Sequence, residues 1–220
     1  MARQQERARR TRAAIVKSAA AEFAKSGYAA ASLARILEGS NATKGAMYFH
    51  FDSKEDLARA VMDESIRRYA EFGDRWISRT DLEPLQILHG LVDEMALRFQ
   101  HDDLTRAQFR LIIEPELQAS GVASGSQLWG KSAYQLAMRA QELGHLRAEV
   151  QLETFVRTLG ALIAGHRYIA DLFGDRSQLR PLYNEGFEVL LEASATSEWL
   201  ERFRREGWPV DASLEDLESE

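Results

Sequence analysis

The 220-residue chain contains no cysteine, which excludes disulfides, thiolate zinc sites and a cysteine nucleophile. Its four prolines fall late, at 84, 115, 181 and 209, so none interrupts a helical pattern before that point. No apolar run approaches the roughly 20 residues that a membrane span needs. The opening MARQQERARRTR has no apolar stretch behind its positive charges, unlike a secretory signal, and a cytoplasmic protein is expected. Strand-like alternation is nearly absent. Catalytic signatures are missing too: there is no GxSxG elbow, and His50, His89, His101, His145 and His166 show neither HxxxH nor HExxH spacing. Neither an enzyme, a cofactor nor a bound metal is expected.

What is present is asymmetric. Residues 1–52 carry nine Lys or Arg against four Asp or Glu, a net of +5, while the other 168 carry 19 against 30, a net of −11. A basic beginning on an acidic body directs attention to one end as the place that meets a polyanion; a solvated arm is the plainer alternative. Apolar residues recur at helical spacing almost throughout. Ile15, Ala19 and Phe23 step by four and stop at Gly27; Leu57, Val61, Ile66, Tyr69, Phe72 and Trp76 mark a long helix after Ser53. Leu85 to Phe99, Trp129 to Leu143, and Phe155, Leu159, Leu162, His166, Ile169 and Phe173 each define one stripe, read as one buried face per helix. The expected fold is all-α: three short N-terminal helices over 1–52, a long connecting helix, and a helical bundle within 53–208. The acidic end, 209–220, has little to bury and is expected to be disordered.

Residues 43–57, TKGAMYFHFDSKEDL, crowd donors around aromatic surface. Ser32 reads as an N-cap for a helix to Gly39, Asn41 as the left-handed residue of a short turn, and Thr43 as the cap of a second helix. Two short helices joined by about three residues have the dimensions of a helix-turn-helix, whose second helix enters the DNA major groove by its N-terminal end. Gly45 and Ala46 permit close approach to base edges. Thr43 and Lys44 stand where free amides favour a phosphate, and Tyr48, His50 and Lys54 can donate to phosphate oxygens. Met47, Phe49 and Phe51 are expected to point inward. The segment GSQLWGKS at 125–132 fits the GxxxxGK[ST] pattern, but no strand precedes it, so a phosphate-binding loop is not expected.

Residues 11–57, and above all TKGAMYFHFDSKEDL, closely resemble the DNA-binding domain of tetracycline-repressor-like (TetR-type) transcriptional regulators; AAAEFAKSGY matches as well. The resemblance implies base or phosphate contacts at Thr43, Lys44 and Gly45 and phosphate clamping by Tyr48, His50 and Lys54. Ser32, at the start of the helix that crosses the DNA backbone, completes the DNA-binding set. The turn departs from the family habit, with Ser40, Asn41 and Ala42 where alanine, glycine and valine are usual. FHFDSKEDLA, DDLTRAQFRL, Trp129 and GHLRAEV resemble the γ-butyrolactone-type autoregulator receptors, a branch that holds a small lactone or furan in its C-terminal domain. That implies a ligand pocket bounded by Trp129, Ala133, Leu88, Phe109 and Ile163; by spacing alone, Trp129 reads equally as plain core.

The function so implied is a homodimeric repressor that binds a near-palindromic operator and is released by a small molecule. Two readings stand beside it: a DNA-binding regulator without a ligand, whose body only dimerises or docks a protein, and a helical enzyme or binding protein with a vestigial helix-turn-helix. The dimer is expected from the last two long helices, through Gly160, Ala161, Ala164 and Gly165 on one and Leu182, Gly186, Val189 and Ala193 on the next.

Overall fold

The computed structural model describes residues 2–119 and 128–213, with the side chains of Ala2, Leu128 and Trp129 outside the described set. Among these residues are eleven helices and no strand. They are α1 (Ala2–Ala30), α2 (Leu33–Ser40), α3 (Lys44–His50), α4 (Lys54–Ile77), α5 (Pro84–His101), α6 (Asp103–Ile112), α7 (Pro115–Ala119), α8 (Leu128–Glu142), α9 (Leu152–Phe173), α10 (Leu179–Glu192) and α11 (Ser197–Glu206). The chain forms two compact units. One contains the residues up to Tyr69 together with α6 and α7; the other contains Ala70–His101 and the described chain from α8 onward.

In the first unit, α1 buries Ile15, Val16, Ala19, Ala20, Phe23 and Ala24 at helical spacing against Ile36 of α2, Met47 of α3, Leu57 and Val61 of α4 and Leu104 and Leu111 of α6. The first helix is therefore not short: the arginine-rich arm continues it to Ala2. It bends at Gly27, whose φ of 73° and ψ of 176° belong to glycine. Just beyond the bend the Tyr28 amide donates to Glu114 Oε1 at 3.2 Å, and just before it the Lys25 carbonyl accepts Arg110 Nη1 at 3.1 Å. The buried Glu22 carboxylate accepts the Ser32 amide and the Arg35 guanidinium, each at 2.9 Å. The Arg35 hydrogen bonds hold its carboxyl down at about 2 despite the opposing effect of burial.

In the second unit α5 is buried almost along its whole length and packs against α8 and α10, while α9 packs against α8 and α10. Most polar groups on a helix so enclosed are met by partners. Glu94 accepts hydrogen bonds from Arg75 Nη2 at 2.7 Å, Trp76 Nε1 at 2.6 Å and Arg98 Nε at 2.9 Å. The Trp76 indole lies so close on Gly90 that a Cβ there would come within 2.2 Å of it. The loop after α8 is tied to the loop after α10 by the isolated bridge Leu146–Ala195.

Two expectations from the pattern are corrected in this unit. The buried face of α9 is Leu152, Phe155, Leu159, Ile163, Arg167 and Ala170, whereas Ile169 and Phe173 are exposed. The helix carries two apolar stripes, and periodicity alone does not distinguish the inward one. The chain after α11 is not a loose acidic end throughout: Ala212 is buried, and its amide donates to Asp93 Oδ2 at 2.8 Å. Residues 214–220 of the expected tail lie outside the described residues.

Candidate functional site

The helix-turn-helix forms as its sequence prescribes. Ser32 caps α2 in an extended conformation, with its hydroxyl accepting the Arg35 amide at 3.5 Å. Asn41 takes the left-handed conformation at φ 51°, turning the chain towards Thr43. Thr43 Oγ1 accepts the Ala46 amide at 3.1 Å and caps α3, and Ser53 Oγ accepts the Asp56 amide at 3.0 Å at the start of α4. α2 reaches α1 closely at Gly39, where a Cβ would lie 2.5 Å from Ser18 Oγ.

On α3 the side chains divide by face. Met47 is buried, and so is Phe51 just beyond the helix; Thr43, Lys44, Gly45 and Tyr48 are exposed. Lys44 Nζ lies 5.9 Å from the centre of the Tyr48 ring one turn on. His50 is half-buried, with its ring edge-on to Phe49 at 5.0 Å. Phe49 contradicts the expectation that it points inward, since it is 79% exposed. The helical wheel explains this: residues 47 and 51 are one turn apart, and residue 49 falls opposite them. That geometry was available in the sequence, and it adds Phe49 to the exposed donor surface. At Gly45 a Cβ would meet nothing within 4 Å, so packing within the described chain does not require glycine there.

Lys54 is placed differently from the other donors. Its Nζ donates to the Ala29 carbonyl at 3.1 Å and sits 4.9 Å from the Tyr28 ring centre, tying the start of α4 to the end of α1. Arg3, Arg7, Arg9, Arg10 and Arg12 of the first helix are all exposed. The exposed surface of this unit therefore offers cations, a tyrosine hydroxyl and a bare phenylalanine. Chemically, it can meet phosphates and the apolar edges of bases.

The residues expected at a ligand are distributed over both units. Leu88 of α5, Ala133 of α8 and Ile163 of α9 are buried in the second. Phe109 of α6 is half-buried and belongs to the first. Trp129 is part of α8, but its side chain lies outside the described residues. Of the GSQLWGKS segment, the described part, 128–132, is helical. Among the described residues no group of three His, Asp or Glu side chains is arranged to hold a metal, and no helix is long and apolar enough to cross a membrane.

Sequence reasoning passed over one polar constellation in the second unit. His89 is fully buried, stacked on Trp208 with ring centres 3.9 Å apart and planes 4° apart. Asp93, one turn further along α5 and equally buried, is gripped by Arg180 Nε at 2.6 Å and Nη2 at 2.7 Å. By strict hydrogen-bond geometry neither imidazole nitrogen nor Asn184 Oδ1 is paired among the described residues, but the two side chains lie within reach of each other. Burial pushes His89 down to about 4; Asp93, Asp211 and a hydrogen bond with Asn184 oppose this, and Arg180 adds to it. Because the unfolded imidazole titrates near 6.5, the unfolded chain takes up the proton first as pH falls. This contribution to stability is full above about pH 6.5 and declines by up to about 3 kcal/mol towards pH 4. Urea unfolding at a series of pH values should show that slope, and His89→Phe should flatten it across this window; an unchanged slope would place the titration elsewhere.

Comparison with known proteins agrees with the geometry. The family described as bacterial regulatory proteins, tetR family, matches residues 15–61, which run from α1 through α3 into α4. The A-factor receptor protein of Streptomyces griseus is 33% identical over 208 residues, covering 92% of this chain and 70% of the relative. The solved structure of full-length native TylP, a tetR regulator from Streptomyces fradiae, superposes with a TM-score of 0.71 at 30% identity, covering 89% of this chain and 92% of that one. A gamma-butyrolactone receptor described as ArpA-like superposes with a TM-score of 0.71 at 25% identity, covering 90% and 94%. With the helix-turn-helix matched and a relative 33% identical aligned over 92% of this chain, this chain belongs to the tetR family of bacterial regulatory proteins.

Proposed function

We propose that this regulator represses transcription by binding a near-palindromic operator as a homodimer, and that a small molecule of the γ-butyrolactone or furan type releases it. Membership of the tetR family makes it a DNA-binding regulator rather than a member of an enzyme class. The observation that carries the DNA reading is the surface of α3: exposed Lys44, Tyr48 and Phe49 beside a glycine that the fold does not need. Thr43, Lys44 and Gly45 meet bases or phosphates, while Tyr48 and His50 clamp the backbone. Lys54 and Ser32 hold the ends of the neighbouring helices at the same surface. Two such units, placed about one DNA turn apart (roughly 34–36 Å), read successive major-groove faces.

The ligand class is supported by the A-factor receptor and the gamma-butyrolactone receptor among the similar proteins. Leu88, Ala133 and Ile163 lie on helices of one unit, and α8 packs against both α5 and α9. A compact ring with an alkyl tail could draw its binding energy from such apolar walls at about 25 cal/mol per Å². Trp129, on the same helix as Ala133, belongs to the proposed pocket as well. Release then follows from differential binding: the ligand favours a conformer whose recognition helices have the wrong spacing, and operator DNA weakens the ligand by the same factor.

The surface reading gives a separable prediction. Lys44→Ala should weaken operator binding by about 1–3 kcal/mol, and Tyr48→Phe should weaken it through loss of one hydroxyl, both with unchanged unfolding curves. Gly45→Ala should do the opposite to stability, raising it by about 0.5–1 kcal/mol because a helical glycine is replaced in open space, while reducing operator affinity through the added methyl group. Gel-shift titration and urea unfolding measure the two effects. Full affinity in all three variants would remove α3 from the DNA.

A further inference from the structure

Two features of α3 are not accounted for by packing within the described chain, and they lie one turn apart. Phe49 is 79% exposed; a lone exposed apolar side chain is by itself ordinary. Gly45 is a helical glycine, which costs stability relative to alanine, in a place where a Cβ would meet nothing within 4 Å. Residues four apart share a face of a helix, and helical side chains lean back over the preceding turn. The Phe49 ring therefore stands towards the turn that contains Gly45, with open space where that residue has no side chain. The half-buried His50 ring, 5.0 Å away and nearly perpendicular, braces the phenyl ring from the side.

The row beside this apolar one is polar. Lys44 and Tyr48 are also one turn apart, both exposed, with Lys44 Nζ 5.9 Å from the Tyr48 ring centre. A surface that met only phosphate oxygens would use this second row and have no use for Phe49, since a phenyl ring offers phosphate no donor. An apolar notch beside donors fits the edge of a base pair instead. In the major groove adenine, guanine and cytosine show donors and acceptors, and thymine alone adds a methyl group, for which phenylalanine is a usual partner.

We infer that Phe49 and Gly45 form a specificity notch for the 5-methyl group of one thymine in each operator half-site. The methyl group enters the space beside Gly45 and packs against the phenyl ring, while Lys44 and Tyr48 engage the polar groups next to it. This rests on the proposed DNA reading and adds to it the base that α3 selects. Glycine is needed at 45 because alanine would put a methyl group of its own where that of thymine belongs. The notch holds one methyl group, and either the protein or the DNA can supply it.

The test first selects duplexes from a random-sequence pool with the full-length chain, then replaces each thymine of the tightest duplex by deoxyuridine, which lacks the 5-methyl group. Gel-shift titration should find one thymine per half-site whose replacement weakens binding about 4-fold, and about 16-fold when both half-sites are changed, as expected for one buried methyl group apiece. Phe49→Ala, at an exposed position, should weaken binding to the thymine duplex and make the two forms bind equally. Gly45→Ala should reverse the preference and bind the uracil form more tightly. Lys44→Ala should weaken both forms alike and keep their ratio. If every thymine can be replaced without loss, or if the ratio survives Phe49→Ala, the notch is overturned while DNA binding stands. A chain that selects no duplex overturns the DNA reading and the notch together. Unchanged duplex affinity in Phe49→Ala with altered sedimentation would assign the ring to a contact between copies of the chain.

Discussion

Placing glutamate at both Ile169 and Leu172 is expected to give a folded monomer whose operator affinity is lower by roughly two to four orders of magnitude, the advantage that a second tethered half-site confers. These side chains belong to the outward stripe of α9, which continues through Tyr168 and Phe173; Leu172 is 66% and Phe173 78% exposed. Ala161, Ala164 and Gly165 extend it towards the start of the helix, and a Cβ at Gly165 would meet nothing within 4 Å. Val189 of α10 is exposed too, seven residues after Leu182 and four before Ala193. So much contiguous apolar surface marks an interaction face, and a twofold dimer sets such a face against its own copy. Two introduced carboxylates would then meet two more. Because both positions are exposed in one chain, far-UV circular dichroism should not change. A dimer persisting in sedimentation would move the interface elsewhere. Gly186 is the contrasting position: a Cβ there would lie 2.4 Å from Leu162 of the same chain. Its smallness serves packing inside the subunit, so Gly186→Leu should lower stability by about 1–3 kcal/mol.

Glu94→Ala should destabilise the second unit by about 3–5 kcal/mol, the usual cost of breaking a buried ion pair by removing one partner. The carboxylate is fully buried and is shared by Arg75, Arg98 and the Trp76 indole, so one substitution removes the acceptor that binds the last turns of α4 to α5. Glu94→Gln keeps an acceptor for Trp76 Nε1 but loses the charge, and should fall between the two. In a chain of this size each kcal/mol corresponds to about 2–4 °C in Tm, so a fall of about 10 °C is the expected order. A loss of less than about 1 kcal/mol for Glu94→Ala would mean that solvent reaches the arginines once the carboxylate is gone, and that the cluster is not a lock.

Much of the DNA-binding unit was legible because its signals are local. Caps act within three residues: Ser32, Thr43 and Ser53 accept the amides that their positions promised, and Asn41 takes the left-handed turn. Phe49 was misplaced although its face could be read, since counting aromatic residues as core overlooked the wheel position opposite Met47 and Phe51. The extension of the first helix through the arginine arm also exceeded expectation, because no tertiary contact is needed to continue a helix free of proline and glycine.

The sequence by itself determined the helical class, the absence of cysteine chemistry, the helix-turn-helix and the cationic bias of one end. Each is written in residue type and short-range spacing, where propensity, capping and charge act without a partner. Only the tertiary structure decided which of two apolar stripes on α9 faces inward, that Gly186 lies against Leu162 while Gly165 lies open, and that α6 joins the first unit against α1. It alone brought Trp208 and Ala212 back onto His89 and Asp93, more than a hundred residues away in the chain. Burial and long-range polar pairing are properties of what packs against a side chain, and a periodic pattern records only that some partner exists.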